Sequence, residues 1–178
     1  MKIKDFPTPI LGFCAFSGTG KTTLLTNLIP IMVSKGLRLA IIKHAHHEFD
    51  IDHPGKDSYK LRHSGATQML ISSSRRWALM HELAENEQEL TLQELLKQID
   101  HSSVDLVLVE GFKKEAFDKI ELHRPSLGHP LMCIADNNVI AIATDDEITI
   151  TEELPVLSLN NPEEIGDFIC RQFNLKKP

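Results

Sequence analysis

No stretch of this chain is apolar for the roughly 20 residues that a membrane-spanning helix needs. Its first residues, Met1-Lys2-Ile3-Lys4-Asp5, also lack the apolar segment of a secretory leader, so the expectation is a cytoplasmic protein without a membrane partner. Cysteine is scarce too. Cys14, Cys133 and Cys170 lie far apart with no Cys-x-x-Cys pair, which excludes a disulfide framework and a thiolate zinc site and leaves buried free thiols. Internal repeats and low-complexity tracts are absent, and so is any surplus of positive charge. The net charge of −6 argues against a general nucleic-acid binder.

The 178 residues, 42% hydrophobic and 25% charged, instead suit one globular domain with a real core. Charge is unevenly placed along it. Residues 38–76 carry a net +3, so the remainder carries −9, and five of the nine histidines fall in the same basic segment. An anionic small molecule or a phosphate-rich partner would be favoured there.

Ile10 to Phe16 reads as a buried strand that stops at Ser17-Gly18-Thr19-Gly20. Leu24, Leu25, Leu28, Ile29 and Met32 then recur at helical spacing, with Pro30 expected to kink that helix and Gly36 to end it. Arg38 to Lys43 is the next strand, giving the start of a βαβ unit. Residues 44–56 form a long polar loop, followed by a helix from about Asp57 to His63. Met69–Ser72 and Trp77–Leu83 look like a hairpin, and Thr91–Ile99 like a helix. Val104–Val109 is the most continuous apolar strand, Val139–Ala143 is another, and Val156–Leu159 is a short last one. Asn161-Pro162-Glu163-Glu164 opens a C-terminal helix with a cap, a first-turn proline and two acids at the positive end of the dipole. The fold class expected is α/β: a P-loop NTPase with a largely parallel sheet, helices on both faces and the single domain 1–178.

Ala15-Phe16-Ser17-Gly18-Thr19-Gly20-Lys21-Thr22-Thr23 is nearly a phosphate-binding loop, with Ala15 where the pattern places its first glycine. Gly18 and Gly20 allow backbone angles closed to other residues and turn the amides of Ser17 to Thr23 around phosphate oxygens. Lys21 is a point charge for the β- and γ-phosphates, the Thr22 hydroxyl is a magnesium ligand, and the following helix adds its positive end. A strand before and a helix after are the context the motif demands, so a chance glycine-rich turn is the weaker reading. Glu110, directly after Val104–Val109, is the carboxylate expected at magnesium. Asp50 or Asp52, in the loop after the second strand, would hold magnesium or position the attacking water. Asp145, after Val139–Ala143, would accept from both N1–H and the 2-amino group of guanine and so favour GTP, although no Asn/Thr-Lys-x-Asp sequence is present.

His44, His46, His47 and His53 invite a metal reading. On an extended loop their side chains alternate, so no more than two point together, and polar hydrogen bonding is the plainer role.

The stretches AFSGTGKTTLL, IIKHAHHEFDIDHPGKDSYKLRHSGA, RRWALM and VDLVLVEGFKKE resemble the molybdopterin-guanine dinucleotide biosynthesis accessory protein B family over almost the whole chain. The resemblance implies a GTP-binding protein with weak magnesium-dependent GTPase activity, usually a homodimer. It would work beside the guanylyltransferase that joins GMP to molybdopterin. By the same carry-over, Gly18 to Thr23 would contact phosphates, Glu110 would sit at the magnesium, and Lys43 to Ser58 would approach the γ-phosphate or the pterin partner. Two other readings share the phosphate loop. A small-molecule kinase would have only Arg75-Arg76 to offer as a lid, and a metal-delivery GTPase would use the histidine loop but lacks a cysteine-bearing metal motif.

Overall fold

The computed structural model describes residues 2–45, 49–84, 86–150 and 153–175. Six of the short strands lie side by side: β1 (Ile10–Cys14), β2 (Leu39–Lys43), β5 (Leu106–Glu110), β6 (Lys119–His123), β7 (Val139–Thr144) and β8 (Val156–Ser158). Their order is β2-β5-β1-β6-β7-β8, and every pairing is parallel. Parallel neighbours need crossover connections, and β1 to β2 is joined by α1 (Lys21–Ser34). That helix continues through Pro30 without a break in its assignment. It ends where Gly36, at φ 85°, lets Leu37 N–H turn back to the Met32 carbonyl at 3.3 Å.

A sheet strand covered on both faces should be apolar at every position, and β5 shows this: Leu106, Val107, Leu108 and Val109 are all at most 1% exposed. Alternation then assigns the faces. Leu106 and Leu108 join Leu24, Leu25, Leu28 and Met32 of α1 and Ile165, Phe168 and Ile169 of α4 (Pro162–Gln172). Val107 and Val109 pack with Ile3, Phe6, Ile42 and with Leu92 and Leu96 of α3 (Leu92–Leu96). Each such buried aliphatic side chain contributes about 1.5–3 kcal/mol relative to an exposed one. The α4 start follows its sequence signature, with the Asn161 side chain accepting from Glu164 N–H at 3.3 Å.

One expectation differs from what is found: the helix over Thr91–Ile99 is the five-residue α3. The fully buried strand β6 is not legible in the residue pattern. Lys-Ile-Glu-Leu-His does not read as a buried strand, yet Lys119 and Glu121 are each 1% exposed. Their charges are met locally. Lys119 Nζ donates to Asp136 Oδ2 at 2.8 Å and to the Glu115 carbonyl at 2.6 Å, while Glu121 accepts the Met132 and Cys133 N–H groups at 2.7 and 2.8 Å.

The chain divides into two compact units, Met1–His44 with Leu92–Pro178, and Ala45–Thr91. The parallel sheet belongs wholly to the first. The second holds α2 (Asp57–His63) and an antiparallel hairpin of β3 (Gln68–Ser72) and β4 (Trp77–His81), as the sequence anticipates. Within it, Arg62 draws the chain together, donating to both Asp50 oxygens at 2.6 Å and to Glu82 Oε1 at 2.5 Å. None of the helices among the described residues is long and apolar enough to cross a membrane.

Candidate functional site

β1 delivers the chain into a tight turn in which Gly18 and Gly20 take φ of 81° and 101°, the left-handed region that favours glycine. Thr19, 2% exposed, ties the turn by donating its hydroxyl to the Phe16 carbonyl at 2.8 Å. Gly20 is the N-cap of α1, and Leu24 N–H closes on its carbonyl at 2.9 Å. The unpaired amides of the first helical turn therefore sit at the loop, where an anion is favoured. Ser17, Thr22 and Thr23 are exposed, and Lys21 Nζ rests on the Ala15 carbonyl at 3.3 Å. Ala15 itself packs in the main core at 8% exposure. Among the described residues only Phe112 and Asn174 combine a side chain with positive φ, so Ala15 occupies an ordinary backbone angle and a glycine there is not needed.

Glu110 ends β5, in register with Phe13 of β1 on one side and Lys43 of β2 on the other. Its side chain is 18% exposed and pairs with Lys43 Nζ at 3.2 Å. The turn beyond it is steeply constrained. Gly111 has φ 106°, and a Cβ there would lie 2.5 Å from His44 Cβ, so the close approach of the two chain segments requires glycine. Phe112 follows at φ 50°, its ring 5.0 Å from that of His44. A carboxylate that already attracts one cation offers the kind of hard oxygen donor that a divalent cation such as magnesium takes.

Asp145 lies just past the end of β7. A residue unnoticed in the sequence connects it to the phosphate loop: Arg124, the first residue after β6, donates Nε–H to the Thr19 carbonyl at 2.9 Å and Nη1–H to Asp145 Oδ2. The only signal that could have found it was the buried strand before it, which its charged residues concealed. Phe16, which follows Ala15 in the loop, stacks its ring on His129 with centroids 4.3 Å apart.

Asp50 and Asp52 belong to the second unit. There the hydrogen bond from Arg62 holds the Asp50 carboxyl below its ordinary value, and both its oxygens are engaged. Hydrogen bonds from Ser58 and from His53 N–H likewise depress Asp52, whose Oδ2 finds no hydrogen-bond partner among the described residues. Of the four histidines, His46 and His47 lie outside the described residues, and no group of three or more His, Cys, Asp or Glu converges as a metal cluster among the described ones. Cys14 and Cys133 are both buried, burial pushing the Cys14 thiol up to about 12.

The profile of the family described as molybdopterin guanine dinucleotide synthesis protein B matches residues 10–145. The chain belongs to this family. It is 48% identical over 162 residues to the molybdopterin-guanine dinucleotide biosynthesis adapter protein of Escherichia coli K12, covering 90% of this chain and 91% of that one. The protein of the same name from Haemophilus influenzae is 42% identical over 161 residues, covering 90% and 87%. Among solved structures, a crystal structure of molybdopterin-guanine biosynthesis protein B (MobB) superposes with a TM-score of 0.72 at 28% identity, over 93% of this chain and 99% of that one. The P-loop NTPase-like architecture expected from the sequence is thus that of the MobB family.

Proposed function

We propose that this MobB-family chain acts as an adapter in molybdopterin guanine dinucleotide biosynthesis by binding GTP with magnesium at Ser17–Thr23. It hydrolyses the nucleotide slowly, beside the guanylyltransferase that uses GTP and molybdopterin. The observation that carries the reading is the loop between β1 and α1, whose two left-handed glycines and capless helix start leave backbone amides for a polyphosphate. Lys21, resting on a carbonyl of the loop, is the counter-charge that moves to the β- and γ-phosphates. Thr22 and Glu110, the latter now paired with Lys43, would be the residues that hold magnesium, which would supply charge neutralisation of those phosphates.

A homodimer fits the hairpin. A two-stranded sheet alone is marginal in water, and Leu70, Trp77 and Leu79, which share one face of it, are 46–70% exposed, an apolar surface that a second copy would cover. The adapter title belongs to the relatives in Escherichia coli and Haemophilus influenzae.

Calorimetry with GTP, ATP and non-hydrolysable analogues, with and without magnesium, tests the reading. GTP is expected to bind best with magnesium, and Lys21→Ala to abolish binding. Glu110→Gln should keep GTP but lose magnesium-dependent hydrolysis; equal GTPase rates in the two proteins would remove Glu110 from the site. Stoichiometric phosphate transfer to a nucleoside or cofactor precursor would make the protein a kinase instead.

A further inference from the structure

We infer that Arg124 is the positioning residue through which this site selects guanine, holding the Asp145 carboxylate in place by fastening it to the phosphate loop. The inference rests on the GTP reading above and extends it to a residue outside every motif quoted from the sequence.

Three observations carry it. Arg124 emerges from β6, the strand between β1 and β7 in the sheet, so its side chain arises midway between the loop that follows β1 and the turn that follows β7. Its guanidinium spans both: Nε–H donates to the Thr19 carbonyl at 2.9 Å, Nη1–H donates to Asp145 Oδ2, and Nη2 lies 3.7 Å from where a Cβ on Gly20 would stand. The turn carrying Asp145 is also fixed from within, the Thr144 hydroxyl donating to the Asp146 carbonyl at 3.0 Å. Both partners are substantially covered, with 32% of the Arg124 side chain and 21% of the Asp145 side chain exposed.

A carboxylate presents about four acceptor positions, and a single guanidinium N–H uses one of them. Asp145 therefore retains acceptors for the two parallel donors of guanine, N1–H and the 2-amino group. Left to itself it would rotate freely. The planar guanidinium prevents this, because a rigid fork can bond a carbonyl and a carboxylate at once. An ammonium, a point charge on a flexible stem, can neutralise Asp145 but cannot hold both loops in one geometry. Fixing Thr19 by bound phosphates then also fixes the base acceptor, so the phosphate and base halves of the site are mechanically joined.

The test measures GTP, ATP and ITP affinity with magnesium for the wild type, Arg124→Met, Arg124→Lys, Asp145→Asn and Arg124→Met/Asp145→Asn, with melting temperatures as a fold control. ITP lacks the 2-amino group. The expected result is a roughly 10–100-fold loss of GTP affinity in Arg124→Met with ATP changed by less than about 3-fold, the discrimination between GTP and ITP shrinking in parallel. Arg124→Lys should fall between wild type and Arg124→Met. In the Asp145→Asn background the Arg124→Met change should cost GTP binding little more, because the two residues act as one unit. Equal losses for GTP and ATP in Arg124→Met would overturn the inference and leave Arg124 a structural brace. If Arg124→Met does not fold, an Arg124→Lys protein with wild-type GTP-to-ATP preference overturns it equally. A wild type that binds no purine triphosphate would sink the GTP reading and this inference together, an outcome distinct from selective wild-type binding that Arg124 variants leave intact.

Discussion

A Cβ built on Gly18 meets nothing within 4 Å, yet the position is closed to other residues, because its φ of 81° is one that a side chain strains against. Gly18→Ala should accordingly cost about 1–2 kcal/mol if the angle is kept, a fall of roughly 2–8 °C in melting temperature for a chain of this size. The larger expected effect is on ligand, since relaxing the angle turns an amide away from the phosphates. Calorimetry showing undiminished GTP affinity in a folded Gly18→Ala protein would mean that this amide faces no ligand. Gly12 provides the contrast. Its φ is not positive, but a Cβ there would lie 2.6 Å from the Phe117 ring, so Gly12→Ala should lower stability through packing rather than backbone strain.

The strand β6 illustrates how an element can hide in plain view. Its burial is complete although three of its five residues are polar, and loops rather than neighbouring strands satisfy its charges, the Asp136 carboxylate for Lys119 and two backbone N–H groups for Glu121. Lys119→Met should leave Asp136 unpaired and cost about 3 kcal/mol, with part of that recovered in Lys119→Met/Asp136→Asn. Thermal unfolding of the four proteins measures the coupling, and additive losses would argue against the pair. Burial pushes the Asp136 carboxyl up, but the hydrogen bonds from Lys119 and Asn138 more than offset it, leaving it below its ordinary 3.8. A depressed carboxyl stabilises the fold above its ordinary value and stops doing so as pH falls through its folded value. The stability advantage of wild type over Asp136→Asn should therefore be constant at neutral pH and shrink as the pH falls past 3.8. The sequence was informative where local chemistry acts alone. The apolar run of β5, the capped start of α4, the loop glycines with Lys21, and Glu110 at a strand end all follow from nearest neighbours along the chain. β6 and Arg124 could not be read, because what makes Lys119 or Arg124 tolerable is a partner 17 or 21 residues further on, brought close only by the fold.

Over the molecule as a whole, the loops that follow β1, β5, β6 and β7 leave the same edge of a parallel sheet, as all the pairings require, and the candidate residues of the first unit collect there. The second unit is built differently. Of its described residues only Met80 is buried, so its hairpin gains little from a core of its own. Trp77→Glu with Leu79→Glu should leave the sheet's stability nearly unchanged but convert a dimer to a monomer in sedimentation velocity. Identical sedimentation of variant and wild type would exclude the hairpin as the contact. One consequence of the backbone at Ala15 reaches beyond this chain. A genome-wide text search that insists on glycine as the first letter of the phosphate loop would pass over it, although a methyl group there is harmless. Searches for such loops should be keyed to torsion angles, which leave that letter free and constrain the two glycines that follow.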